Sequence, residues 1–365
     1  TTGDLTLTGD GTLDSGGNST AIATIDGGGF DLTVAAGTAA GTTTVTGPVS
    51  NIGSGTGAAL TIDTGVTGLV RFQDTLDGNG GIVHGEATGA IRFDGDVTLA
   101  DGDTGTTMAG STQLTGVTYS GFDTLIFADV TLATGAVTID SNSSTLQVAS
   151  IVGAGQDLSL ESRGGATTVS GDATGIGTLT LHDNNAGSTG TMRFEGDLGA
   201  NTLTTQGQGY AVELLAGNGA AGTVTVTTDT NFANTGAITL GDDGADVLTF
   251  IGGLSTTSGS GTTTGGAIRT GGNQIDLGVV TLGANTVVDS SNTGAAAAGA
   301  VVNIAGVTGG TNNLELRSRN NQTTLGGDAT GIGTLTLHDN DADATGTMRF
   351  EGDLGANTLT TQGQG

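Results

Sequence analysis

A 39-residue segment at 171–209 returns at 327–365, an offset of 156, with only Asn185/Asp341, Gly187/Asp343 and Ser188/Ala344 changed. Likeness persists upstream, where Leu158, Leu160, Ser162 and Arg163 match Leu314, Leu316, Ser318 and Arg319. Residues 54–209 and 210–365 are thus two periods, weakly alike outside the near-identical part. A chain that reuses sequence at a fixed offset folds by stacking one small unit on the next. The second copy closes the chain at a repeat boundary. The sequence therefore reads as a window on a longer repetitive protein, continued covalently or stacked end to end in a filament.

Within each period, apolar and polar residues alternate in short runs such as 179–181 (LTL), 192–194 (MRF) and 247–250 (VLTF). Alternation of period two marks strands with one buried face. Turns rich in Gly, Asn and Asp separate the runs, for example 27–29 and 241–244, and suit tight corners. No stretch reads as a helix; the alanines at 295–298 are flanked by glycine. Tryptophan and cysteine are absent, aromatics make up 3%, and 71 residues are glycine. A β-sandwich needs a broader, bulkier core. The expected fold is all-β: an elongated right-handed parallel β-helix (β-solenoid), one continuous body over 1–365. With ~20–25 residues per coil it makes about 15–18 coils. At ~4.8 Å per coil that is a rod about 70–85 Å long. Leu179, Leu181, Met192 and Phe194, with their copies Leu335, Leu337, Met348 and Phe350, should point inward. Thr180, His182, Arg193 and Glu195 should point out.

Thirty-six acids oppose eight arginines, and the net charge is −28 with no lysine. Such a surface repels nucleic acid and anionic lipid. No apolar run approaches the ~20 residues of a membrane span. Thr1 opens directly on strand-like residues, so an export signal is expected to be cleaved or to lie outside this window.

With the repeat, the GxLTLxx strands and the run 279–289 (VVTLGANTVVD) in view, the chain resembles large exported bacterial β-strand-repeat proteins. These are similar to filamentous haemagglutinin-type adhesins and autotransporter passengers. The resemblance implies a parallel β-helix at the cell surface, acting in adhesion, biofilm or fibre formation. Neither an amino-terminal secretion domain nor a carboxy-terminal membrane barrel is visible, which leaves the export route open.

Candidate chemistry is sparse. His182 and His338 are repeat copies about seven coils apart, so they share no metal, and each reads as an exposed residue at a strand end. No Ser, His and Asp fall at triad spacing. Carboxylates and carbonyls at turns suit calcium. The candidate ligands are Asp242, Asp243 and Asp246, within a run (241–248, GDDGADVL) faintly like the calcium nonapeptide, and Asp101 and Asp103. Arg193 with Glu195, Arg349 with Glu351, Glu161 with Arg163 and Glu315 with Arg317 lie at i, i+2 on one strand face and read as surface charge ladders. Thr-x-Thr pieces are too scattered for a flat ice-binding face.

The expectation is a non-enzymatic structural and adhesive segment of an extracellular fibre at the cell surface, with calcium as the one cofactor to consider. Its expected partners are further copies of itself and surface glycans or neighbouring cells, without nucleic acid. The alternatives are a calcium-dependent surface-layer or adhesin module, and a polysaccharide-active enzyme with convergent carboxylates and arginines.

Overall fold

The computed structural model describes residues 3–35, 41–63, 68–86, 88–100, 104–183, 187, 189–293, 295, 299–338 and 346–362. Among them every regular element is a strand, and every pairing whose register is resolved is parallel. The chain is a β-solenoid. Its contacts group into two compact units, Thr1–Asn184 and Asn185–Gly365.

In the first unit the strands form three ladders, each built from one strand per coil. The first ladder stacks Ile25, Val49, Leu76, Val97, Tyr119, Ile139, Leu160 and Leu181 in register. The second stacks Val34, Ile62, His84, Met108, Phe127, Val148 and Val169. The third stacks Ile22, Val45, Phe72, Phe93, Leu114 and Leu132. All of these are buried. Alternation therefore acts twice: along a strand it sends every second side chain inward, and across coils it aligns those side chains into columns. A buried side chain of Leu or Phe size contributes about 1.5–3 kcal/mol.

The second unit repeats the plan. One ladder carries Met192, Val212, Ile238, Thr262 and Val280. A second carries Leu198, Val224, Leu248, Ile268, Val288, Leu316 and Leu337. A third carries Thr230, Leu254, Ile275, Val302, Thr323 and Met348.

The advance per coil is less even than expected. It is 18 residues from Thr112 to Val130 and 28 from Leu32 to Leu60. The surplus is taken up at corners. Register shifts occur between Asp26 and Phe30 and between Leu76 and Gly78. Gly53, at φ +94°, makes one such corner, where a Cβ would run into the carbonyl oxygen of Asn79.

The core is also more aromatic than its composition suggests. Phe72 stacks on Phe93 (5.5 Å, 11°), Phe93 meets Tyr119 edge-on (5.7 Å) and Tyr119 meets Phe127 likewise (5.2 Å). In the second unit Phe232 and Phe250 meet at 6.3 Å. The few rings are concentrated in neighbouring coils, where they gain ring–ring contact beyond burial.

The two repeat copies take the same strands. Ala173–His182 matches Ala329–His338, and Thr191–Phe194 matches Thr347–Phe350. The common register reaches further upstream than the identity does. Leu146–Val152 and Val302–Thr308 also differ by 156. Of the inward positions expected, Leu179, Leu181, Met192, Phe194 and Leu335 are buried, whereas Leu337, Met348 and Phe350 are half-buried.

Candidate functional site

The acids are the natural place to look for a site, and among the described residues many of those at corners are already occupied. Asp31 Oδ1 accepts the N–H of Ser54 in the next coil (3.0 Å), while the Asp31 N–H donates to Asp10 Oδ1 in the previous one (3.1 Å). Asp96 accepts from Thr118 N (2.7 Å) and Asp328 from Asp353 N (2.9 Å). In the second unit amides share this role with aspartates: Asn285 accepts from Asn313 N (2.9 Å), and Asn313 from Thr334 N (2.8 Å). These side chains extend the backbone ladder around a corner, where the strands themselves have stopped pairing.

The calcium candidates behave in the same way. Asp242, Asp243 and Asp246 share one turn. Asp246 is buried; its Oδ2 accepts from Asp242 N (2.9 Å) and Asp243 N (3.0 Å), and its Oδ1 from Gly222 N (3.2 Å). Burial pushes this carboxyl above the usual carboxylate range against those three N–H donors. Asp243 accepts from Ala245 N (2.7 Å) and Asp242 from Gly219 N (3.0 Å). The turn thus aims its carboxylates at backbone donors, and no three His, Asp or Glu side chains among the described residues are placed to hold a metal. Asp101 and Asp103 lie outside the described residues.

Charged groups do meet on the strand faces. Arg71 and Arg92 are in register on adjacent coils, and Asp94 takes both: Arg71 Nε lies 2.5 Å from Oδ2 and Arg92 Nε 2.6 Å from Oδ1. Gln73, with its amide oxygen turned towards Arg71, accepts from both terminal guanidinium nitrogens (3.0 and 3.3 Å). Burial works to raise the Asp94 pKa, but the bonds from Arg92 and Arg71 outweigh it and hold the carboxyl below its ordinary range. This trio was missed from sequence. The signal was the recurrence of Arg-Phe in Leu69–Phe72 and Ala90–Phe93, one coil apart.

His182 and His338 are half-buried and paired, where bare exposure was expected. His182 Nδ1 lies 3.4 Å from Glu161, and His338 Nδ1 lies 2.9 Å from Glu315. Arg193 bridges Glu213 (2.5 Å) and Glu195 (3.4 Å), so its main partner is in the next coil and not at i+2. Arg163 likewise reaches across coils to Asp140 (2.7 Å). Arg317 pairs with Glu315 (2.6 Å) and Arg349 with Glu351 (2.9 Å), as the i, i+2 spacing implies.

The first unit also carries an open cleft of about 420 Å³ where the register shifts. Gly28, Gly29, Asn51, Gly53, Asp77 and Asn79 line it. Asn51 is held there by its side-chain N–H, which donates to Asp26 Oδ1 (3.2 Å). The lining offers hydroxyl- and amide-binding groups with close backbone approach, and one carboxylate, Asp77.

No family model matches the chain, and neither a curated protein nor a solved structure does.

Proposed function

We propose that this chain is a structural and adhesive segment of a repetitive extracellular protein, serving as a fibre element at the cell surface. The supporting observation is that the near-identical segments reuse one coil design, with the same strand bounds and the same inter-coil register. Leu158 pairs with Leu179, and Leu314 pairs with Leu335, 156 residues later. A fold whose corners and faces are committed to coil-on-coil bonds works by extension, and ladders of this kind propagate without closing. The polar cleft and the acidic outer faces fit contact with neutral surface glycans better than with polyanions.

Two experiments test the two halves of the reading. Electron micrographs of the purified chain at rising concentration should show filaments that lengthen with concentration; discrete particles at every concentration would remove end-to-end stacking and leave only a covalently continued fibre. Beads coated with the chain should cling to cell surfaces more than beads coated with serum albumin. Equal retention would remove the adhesive role.

A further inference from the structure

His84 lies in the interior column of the second ladder, between Ile62 and Met108 in register, and is 0% exposed. Neither ring nitrogen has a hydrogen-bond partner. The chain is shaped around the ring: a Cβ on Gly110 would lie 2.5 Å from His84 Cε1, so the next coil keeps a glycine there. The interior positions of the other two ladders at this level are Leu76, Val97, Phe72 and Phe93, all apolar and buried. Among the described residues, ionisable groups nearby are few. Glu86 follows two residues on along the same segment, exposed Asp63 follows Ile62, and residues 104–115 of the next coil carry no ionisable side chain.

A neutral imidazole in this column already leaves two polar atoms unsatisfied. A protonated one would place a full charge among aliphatic and aromatic side chains with no carboxylate in contact. We infer that His84 makes the coil around Ile82–His84 an acid-sensitive seam: protonation requires the coil to open, and acid holds it open. The environment of the ring acts in the same direction. Burial lowers the ring's pKa, and the pull of Glu86 in the opposite sense is smaller. Because the folded pKa is depressed, the open state binds the extra proton. Stability of the coil is therefore full above the ordinary histidine pKa and falls as pH drops below about 6.5.

Hydrogen exchange on the whole 365-residue chain tests this. Corrected for intrinsic rates, opening of the segment Ile82–His84 should increase up to roughly 30-fold between pH 8 and pH 5, the factor for an open-state pKa near 6.5. In H84M, which keeps the volume without the titrating ring, that pH dependence should vanish. Equal pH dependence in the two proteins would overturn the inference. The wild-type ring gives a second reading that needs no variant. Its carbon-bound proton resonances should stay at their neutral position down to pH 5, and a midpoint near 6.5 would overturn the inference as well.

Discussion

Asp157 and Asn313 occupy the same place in the two repeat copies and make the same bond. Asp157 Oδ1 accepts from Thr178 N (2.6 Å), and Asn313 Oδ1 accepts from Thr334 N (2.8 Å). What the corner requires is an oxygen, not a charge. D157N should therefore leave thermal stability unchanged, while D157A should lower it by up to about 1 kcal/mol; paired melts of the two variants decide between oxygen and charge. A second exchange shows compensation: Glu161 is replaced by Arg317 and Ser159 by Glu315. The carboxylate has moved two residues along the strand, yet the histidine of the next coil keeps an acidic partner in both copies. Asp94 has no such substitute. Removing its charge leaves Arg71 and Arg92 facing each other on adjacent strands, so D94N should cost about 1–2 kcal/mol, and more at low salt. Its depressed pKa sets the sign with pH. The contribution is full above the ordinary carboxylate pKa and is lost as pH falls below about 4, where wild type and D94N should converge in denaturant melts.

At the scale of the strand, one sequence placed twice separates propensity from burial. Leu203 and Leu359 sit in identical local sequence, but Leu203 is 2% exposed and Leu359 54%. The coil that follows the first copy lies over it, with Met192 on Val212, Phe194 on Leu214 and Leu198 on Val224. L203A should cost about 2–5 kcal/mol, since a cavity opens in the stack, whereas L359A should cost less than about 1 kcal/mol. Urea titrations of the two variants test this, and equal costs would mean that strand propensity outweighs stacking. The same contrast explains what could be read in advance. The alternation in runs such as Leu158–Glu161 and Val247–Phe250 was enough to place inward and outward faces. The Phe72–Phe93–Tyr119–Phe127 stack was not, because its members are 21, 26 and 8 residues apart and meet only once the uneven coil lengths are known. Buried threonines were hidden for a related reason. Thr264 and Thr286 satisfy each other across two coils (3.2 Å), a pairing invisible within either strand. The acidic corners were legible as turns, but not as acceptors for the coil beside them.

At the scale of the whole chain, acid content and fold are two sides of one arrangement. Many coils need a corner acceptor, and aspartate supplies it; the sum over coils contributes to a net charge of −28. Each carboxylate helps its own corner and repels the others. That repulsion is long-ranged and screenable, whereas the corner bonds at 2.6–3.0 Å are neither. Raising sodium chloride from about 0.01 M, where the screening length is about 30 Å, to about 1 M, where it is about 3 Å, should therefore raise the melting temperature. Calcium and magnesium chloride at equal ionic strength should raise it equally, because Asp242, Asp243 and Asp246 are engaged by backbone N–H groups. A further rise specific to calcium would show that these carboxylates, or Asp101 and Asp103, bind the ion in preference to the backbone. The D246A chain separates the two outcomes. If Asp246 is a corner acceptor, its loss leaves three N–H groups unpaired and lowers stability by about 1–3 kcal/mol in either salt. If it is a ligand, the loss appears only with calcium present.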